Sequence, residues 1–206
     1  EAAMSASAVP REHVIVQGPG GMLTIAGGKL TTYRLMAQEL VDRVSELLHR
    51  LDGRPKLPHA ATGTERLPGG EASDLEPFGK PGLELGLGID TVDHLLRHYG
   101  TECAAVFNLV RERRELGRRL AEDHPAIEAE VVHVTRRELA RRLDDVLARR
   151  IHLYYETPDH GVGAAARVAA LMGPELEWDA ATIAAEEARY RGLVENGLVE
   201  TPAGGG

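Results

Sequence analysis

The sequence is poor in cysteine, long apolar runs, aromatic residues and lysine, and these shortages limit the class of protein it can belong to. Cys103 is the single cysteine, which excludes a disulfide-stapled fold and is typical of a reducing compartment. No run of about 18 apolar residues occurs, so no membrane-spanning helix is predicted. Aromatic residues make up only 4% of the chain, so we expect a core of Leu, Val, Ile and Ala. Lysine is rare as well, with three among 24 basic residues, which makes Lys29 in a glycine-rich turn notable.

The remaining composition is that of a folded protein with an acidic balance. The 206 residues are 43% hydrophobic and 27% charged, enough for one domain or for a domain and a fragment. The net charge of −8 argues against nucleic acid as a partner. Residues 111–150 carry eleven arginines among nine acidic residues. This mixture favours a charged helix surface, or a contact with another domain, over an RNA-binding helical domain.

The N-terminal part of the chain predicts a β-hairpin followed by a long helix. Two β-type runs, 13–17 and 22–26, flank a Gly/Pro turn at 18–21. Apolar residues then recur at helical spacing over 33–51, with Thr31 or Thr32 as the N-cap. Because a lone hairpin is marginal in water, these strands need a larger sheet. Residues 52–81 are rich in Gly and Pro and mark the best domain boundary.

Beyond that boundary the apolar pattern is helical almost throughout. The predicted helices cover 90–98, 101–121, 125–150, 161–172 and 179–197. A phase slip in the apolar stripe places a break in the third of them, near 137–139. Residues 151–155 fit a short strand or a helix-to-loop exit equally well. The predicted fold class is therefore mainly α, with an N-terminal β-hairpin remnant of a sheet, a long helix, and then an all-α helical domain.

The stretch Gly27-Gly28-Lys29 is the strongest candidate for a ligand-binding site in the sequence. It follows a predicted strand and precedes a helix, so its glycines let backbone approach a ligand closely. The first amide groups of a helix, with the helix dipole, favour an anion, and a lysine adds positive charge. A tight turn with a solvated lysine explains the same residues equally well.

Four segments together resemble the FAD-dependent, aerobic-type glycerol-3-phosphate dehydrogenases. They are Gly-Gly-Lys-Leu-Thr-Thr-Tyr-Arg at 27–34, Leu-Pro-Gly-Gly at 67–70, and the helical segments 145–150 and 168–179. The resemblance runs from about Arg11 to Arg191. It implies three parts: 1–51 as the C-terminal end of an FAD-binding and substrate domain, 52–81 as a linker, and 82–200 as a helical C-terminal domain.

The resemblance also implies a function for the intact protein. That protein would oxidise sn-glycerol 3-phosphate to dihydroxyacetone phosphate, with electrons passing to FAD and then to a quinone. The backbone of Gly28, Lys29, Leu30 and Thr31 would lie at the pyrimidine edge of the flavin, where a helix N-terminus stabilises negative charge. Lys29 would lie near both flavin and substrate, and Arg11 would bind the substrate phosphate through paired hydrogen bonds. No residue is assigned as the catalytic base.

Further expectations concern partners, location and activity. The missing N-terminal FAD domain would be the main partner, a homodimer is a second expectation, and the location would be cytoplasmic, peripheral at the inner face of the membrane. No Gly-x-Gly-x-x-Gly follows an N-terminal strand, so the segment that holds the pyrophosphate of FAD is missing and the 206 residues alone should be inactive. A helical interaction or oligomerisation module without redox chemistry is the alternative function.

Three weaker signals are set aside. Residues 161–166 fit the permissive form Gly-x-Gly-x-x-Ala, but a Pro-Asp-His segment precedes them where a strand is required. His94 and His98 are four apart on a predicted helix, where a half-exposed face is a better interpretation than a metal site, and no metal is predicted. Cys103 lies in an apolar stretch and is expected to be a buried filler.

Overall fold

The computed structural model describes residues 12–197. The chain forms two compact units that divide between Leu67 and Pro68. That division falls inside the predicted 52–81 linker, while the limits 1–51, 52–81 and 82–200 stay predictions. Among residues 12–197, no helix is both long and apolar enough to cross a membrane.

The first unit begins with the predicted β-hairpin. Strands β1 (His13–Gln17) and β2 (Leu23–Gly27) pair antiparallel, with Ile15 opposite Ile25. A 3-10 turn over Pro19–Gly21 connects them, and Gly20 adopts a left-handed φ of 74° there. The predicted hairpin is thus confirmed. Its physical reason is local, since β-branched residues on both sides of a Gly/Pro turn favour antiparallel pairing.

Helix α1 (Tyr33–Asp52) follows, in agreement with the predicted helical stripe over 33–51, and Gly53 is its C-cap. Gly53 has φ 65°, and its N–H donates to the His49 carbonyl in the manner of a glycine C-cap. Thr32 lies at the N-cap position, as expected, but its hydroxyl makes no capping bond to the helix. It bonds the Lys29 backbone instead.

None of the residues in β1, β2 and α1 is buried. Several large apolar side chains of this unit are exposed, among them Val14, Val16, Val41 and Leu51. The face of the hairpin that carries Val14 and Val16 is therefore not covered by any residue of the described unit.

The second unit contains eight helices within the described residues. They are α2 (Glu76–Glu84), α3 (Ile89–Tyr99), α4 (Cys103–Glu112), α5 (Glu128–Arg137), α6 (Leu143–Leu147), α7 (Leu153–Glu156), α8 (Val162–Leu176) and α9 (Ala180–Glu195). Helix α8 packs against α5 and α9, and α4 packs against α5. The mainly helical fold class is confirmed.

The core of the second unit is aliphatic, as the low aromatic content predicts. Its fully buried members include Leu95, Phe107, Leu116, Ile127, Leu143, Leu147, Ile151, Leu153 and Met172. Cys103 is buried with them, which confirms its assignment as a filler. Phe107 and Tyr190 are the core's fully buried aromatic members, and the Tyr190 hydroxyl donates to the His160 carbonyl at 2.6 Å.

The predicted helix over 101–121 is wrong at its C-terminal end. Helix α4 stops at Glu112 because Arg113 is extended, and a short 3-10 turn covers Arg114–Gly117. The next residues pair with the strand-like segment before α5: Glu128 N donates to the Arg118 carbonyl at 2.9 Å and Leu120 N to the Ala126 carbonyl at 3.0 Å. Backbone hydrogen bonds across the fold thus replace the last helical turns.

The predicted break near 137–139 is confirmed. Helix α5 ends at Arg137, and Leu139 has a left-handed φ of 57°. Within residues 138–150 only Leu143–Leu147 is helical, so the predicted helix to 150 is too long. Of the two interpretations of 151–155, the strand is wrong, since the short helix α7 forms after His152.

Candidate functional site

The candidate site is the turn between strand β2 and helix α1. Gly27 has φ 79° and Gly28 has φ 84°, values that side chains strongly disfavour. A Cβ at Gly27 would lie 2.8 Å from the Glu12 carbonyl oxygen, and one at Gly28 would lie 2.4 Å from Met36 Sδ. The backbone conformation favours glycine at both positions, and at Gly27 the neighbouring backbone also leaves no room for a side chain.

Lys29 and the 3-10 turn Leu30–Thr32 complete the link to the helix. The Thr32 hydroxyl donates to the Lys29 carbonyl at 2.9 Å and accepts from the Lys29 N–H at 3.2 Å. A further backbone bond joins Thr32 N to the Lys29 carbonyl at 3.0 Å. The turn is thus closed by its own residues, with Lys29 held at its start.

The surface of this turn is open to a ligand. Leu30 is 90% exposed, and Lys29 and Thr31 are exposed as well. The Lys29 ammonium forms no ion pair with any carboxylate of the described residues. N–H groups that begin a helical turn have no acceptor inside it. The turn therefore offers backbone donors and a mobile cation side by side, a donor set suited to carbonyl oxygens or negative charge.

The surrounding contacts hold the hairpin and helix together. His13 Nε2 on β1 lies 2.8 Å from Glu39 Oε2 on α1. Arg34, which ends the family-like motif, donates to Gln38 at 2.9 Å and to the Thr62 hydroxyl at 3.2 Å. A cleft between hairpin and helix is lined by His13, Ile15, Glu39, Asp42, Arg43 and Glu46. It includes none of the predicted site residues.

The four predicted cofactor-binding residues, Gly28, Lys29, Leu30 and Thr31, are contiguous in one exposed turn. Arg11, the predicted phosphate-binding residue, lies outside the described residues. The roles of all five stay predictions.

The Gly-x-Gly-x-x-Ala segment is not a dinucleotide loop. It opens helix α8, and Asp159 occupies the helix start: its carboxylate accepts the N–H of Gly163 at 2.7 Å and that of Gly161 at 3.0 Å. The bond from Gly163 is the main cause of the lowered pKa of Asp159. The chain's own carboxylate thus fills the position that a phosphate would need.

The arginine-rich middle forms ion pairs within the second unit. Arg136 pairs with Glu175 on α8 through two bonds of 2.6 and 2.7 Å. Arg142 pairs with Glu186 on α9, Arg150 pairs with Glu138 at the end of α5, and Arg149 pairs locally with Asp144 of α6. These partners support the interpretation as a charged helix surface.

That a buried carboxylate, Glu130, lies beside a histidine was not predicted from the sequence. His94, predicted on a half-exposed face, has a side chain only 9% exposed and lies 3.0 Å from the fully buried Glu130. No group of three or more His, Cys, Asp or Glu in the described part is arranged to hold a metal ion. Glutamate at helical spacing among valines was the available signal, since Glu130 occupies a core position of α5.

The family follows from comparison with known proteins. The family described as the C-terminal domain of alpha-glycerophosphate oxidase matches residues 60–183. This match covers more than half of the chain, which therefore belongs to that family.

Curated relatives extend the similarity over nearly the whole chain. The glycerol-3-phosphate dehydrogenase of Synechocystis is 32% identical over 180 residues, which are 84% of this chain and 31% of the relative. Glycerol-3-phosphate dehydrogenase 2 of Mycobacterium tuberculosis is 31% identical over 191 residues, covering 92% of this chain and 32% of the relative. The chain thus spans about a third of the length of the relatives it matches.

A solved structure shares the fold. It is the X-ray structure of the glycerol-3-phosphate dehydrogenase from Bacillus halodurans complexed with FAD. The TM-score is 0.70 at 23% sequence identity, over 93% of this chain and 38% of that one.

Proposed function

We propose that the chain is the C-terminal part of an FAD-dependent glycerol-3-phosphate dehydrogenase. The intact protein converts sn-glycerol 3-phosphate to dihydroxyacetone phosphate, with electrons passing through FAD to a quinone. Family membership and the relatives' names support the reaction. Because the chain matches only about a third of the length of these relatives, they also support its assignment as one part of a longer enzyme.

The single observation that carries the cofactor assignment is the turn at Gly27–Thr32. The carbonyl-rich pyrimidine edge of a flavin is matched by adjacent backbone N–H donors and a cation, which is what Leu30, Thr31 and Lys29 offer. The left-handed glycines bring bare backbone to the surface. FAD, when bound, supplies the two-electron acceptor for the alcohol oxidation. The chain's own residues supply donors that favour negative charge at the ring edge.

Two side chains act on the substrate in this proposal. The guanidinium of Arg11 binds two phosphate oxygens, a geometry that its planar fork matches. The Lys29 ammonium would lie near both flavin and substrate and would supply positive charge to each. No residue of the described part is assigned as the base that removes the hydroxyl proton.

The first unit also carries the proposed partner surface. None of the residues in β1, β2 and α1 is buried, and Val14 and Val16 expose one face of the hairpin. We assign this surface to the N-terminal FAD domain, whose sheet would extend the hairpin. The location proposed is cytoplasmic, at the inner face of the membrane where a quinone is reached, with a homodimer as the assembly.

Expression of two forms tests the proposal. The full-length polypeptide that contains this chain should be yellow, and it should reduce a dye when supplied with glycerol 3-phosphate. The 206 residues alone should be colourless, helical by circular dichroism and inactive. A full-length protein without flavin would refute the proposed function. Flavin bound stoichiometrically by the 206 residues alone would refute only the expectation that FAD binding needs the N-terminal domain.

The second unit supports the alternative function of a helical interaction module. It has its own aliphatic core and contributes none of the proposed site residues. In this version residues 82–197 serve docking, oligomerisation or membrane proximity, while the redox chemistry belongs elsewhere. Full-length protein that binds no flavin but assembles into a defined oligomer would favour this alternative.

A further inference from the structure

The segment 54–62, which we call the strap, follows helix α1 and runs back along it. It contains no helical or strand residue. At its start, His49 in the last turn of α1 donates from Nδ1 to the Arg54 carbonyl at 2.6 Å. At its end, Arg34 in the first turn of α1 donates to the Thr62 hydroxyl at 3.2 Å. The strap thus contacts both ends of the helix that it follows.

The lengths of helix and strap match. From His49 back to Arg34 the helix covers about 22 Å, at about 1.5 Å for each residue. From Arg54 to Thr62 an extended, polyproline-type chain covers about 25 Å, at about 3.1 Å for each residue. The two prolines of the strap favour that extended form. A strap of this length therefore reaches from one end of α1 to the other.

Asp42 is the main contact in the middle of the strap. Its Oδ1 accepts the N–H of Ala60 at 3.1 Å, and its Oδ2 accepts the Nδ1–H of His59 at 2.9 Å. The bond from His59 is the main cause of the lowered pKa of Asp42, and it favours the charged carboxylate. One turn further along α1, Ser45 Oγ accepts the N–H of Leu57 at 3.3 Å. The helix thus satisfies strap backbone groups that have no partner in a helix or sheet.

The α1 residues that contact the strap lie on one face of the helix. They recur at steps of three and four residues: Arg34, Gln38, Asp42, Ser45 and His49. The strap backbone groups that they bind recur at every third residue, at 54, 57 and 60, which is the repeat of a polyproline-type chain. The strap is therefore a packed element of the first unit.

The first turn of α1 is held from two sides. On the hairpin side, Met36 Sδ lies 3.6 Å from the Thr32 hydroxyl and beside Gly28. At about 100° for each residue, Arg34 projects about 160° away from Met36, and its partner there is Thr62 of the strap. No residue of α1 is buried. Contacts of this kind, rather than a core, therefore fix the start of the helix within the described unit.

We propose that the strap positions the flavin-facing turn Gly27–Thr32, with Asp42 and Thr62 as its positioning residues. This inference rests on the proposed function of that turn. The 3-10 turn Leu30–Thr32 continues directly into α1, so a helix free to tilt would carry the backbone N–H donors and Lys29 away from the ring edge. The strap keeps these donors in the orientation that stabilises negative charge on the flavin.

Hydrogen exchange of the full-length polypeptide tests the contact at the start of the helix. Thr62→Val removes the hydroxyl but keeps the shape, whereas Thr62→Ser keeps the hydroxyl. One hydrogen bond changes an equilibrium about two- to tenfold, so the amides of residues 37–40 should open more often by that factor in Thr62→Val than in Thr62→Ser. Helix α8 is the internal reference. Equal opening in the two variants would overturn the proposal.

Flavin binding tests whether the strap matters for the site. The double variant Asp42→Ala/Thr62→Val should raise the dissociation constant of FAD at least about fivefold and make the flavin potential more negative, because displaced donors stabilise the reduced ring less. Asp42→Asn with Thr62→Ser keeps an acceptor and a hydroxyl, so it should restore both values. Thr64→Val is the matched control and should change neither, since the Thr64 hydroxyl donates to the Ala61 carbonyl within its own segment.

The outcomes separate this inference from the proposed function. An unaltered full-length protein without flavin contradicts the proposed function of the turn, and the inference fails with it. An Asp42→Ala/Thr62→Val variant that binds flavin as tightly as the unaltered protein, at the same potential, contradicts the role of the strap alone. If that variant does not fold, flavin affinity and potential in Thr62→Val against Thr62→Ser decide, since Thr62 is exposed and a single change there leaves the rest of the strap in place.

Discussion

The Glu186 carboxylate on α9 caps the start of α6: its Oε1 accepts the N–H of Leu143 at 3.0 Å. The other oxygen accepts from Arg142 at 2.9 Å, and Arg189 donates to both oxygens, at 2.6 and 2.9 Å. Arg189 and Arg149 also pair with Asp144. Two buried carboxylates and their arginines thus connect helices more than 40 residues apart in the chain.

Replacing Glu186 should be strongly destabilising. Glu186→Gln keeps the shape but removes a buried charge that balances Arg189 and Arg142, so we expect a loss of about 3 kcal/mol in the free energy of unfolding. Urea unfolding followed by circular dichroism measures it. Glu187→Gln, at the next residue with an exposed Arg191 pair, should change stability by less than about 0.5 kcal/mol. Equal effects of the two would contradict a structural role for the network.

The same carboxylates predict an acid limb in stability. Burial alone would raise the pKa of Asp144 and of Glu186, but hydrogen bonds from Arg189 and the other donors outweigh it and hold both below their ordinary values of 3.8 and 4.5. Because the folded pKa values are lowered, this stabilisation is complete above about pH 4.5 and is lost as pH falls through the folded values. Urea midpoints between pH 3 and 6 should show the decline, and Asp144→Asn should flatten it.

Gly28→Ala should reduce cofactor binding by the full-length protein. The new Cβ would combine a left-handed φ with a clash against Met36, which costs about 1–2 kcal/mol and moves Lys29. The ratio of flavin to protein absorbance measures the effect. Gly21→Ala is the matched control, since φ is 83° there but no atom lies within 4 Å of the added Cβ. The assignment of this turn fails if both variants retain full flavin.

Lys29→Ala in the full-length enzyme should lower kcat as well as raise KM for glycerol 3-phosphate. The reason is its proposed position between flavin and substrate, where removal of the cation also shifts the flavin potential. Steady-state kinetics and a potential titration measure both. Lys56→Ala, a lysine change outside the turn, should match the parent enzyme. An unchanged kcat and potential would place Lys29 in solvent.

Arg11→Ala should act mainly on KM, with flavin content retained. Loss of a charge-assisted hydrogen bond of about 1.5–3 kcal/mol corresponds to a roughly ten- to hundredfold lower kcat/KM for glycerol 3-phosphate. Glycerol, which lacks the phosphate, should respond little to the change. If kcat/KM for glycerol 3-phosphate does not fall, Arg11 has no phosphate-binding role.

The local elements of this protein could be predicted because their signals are contiguous. Alternation over 13–17 and 22–26, the helical stripe ending at Gly53, and the phase slip at 137–139 each involve neighbours in the chain. The turn at Gly28 and Lys29 belongs to the same group, since its shape depends on left-handed glycines and on Thr32 three residues beyond Lys29. Short-range sterics and hydrogen bonds suffice for these features.

Only the tertiary structure decided which charged residues are buried. In sequence Glu186 looks like an ordinary surface glutamate, and only its valine neighbours set Glu130 apart. Each of the two accepts bonds from residues 31 to 44 positions away. Helix α4 likewise ends early because the backbone of 118–120 bonds to that of 126–128. A buried carboxylate is stable only where several donors from separate helices converge on it, and that convergence depends on how the helices pack, which periodicity along one segment does not encode.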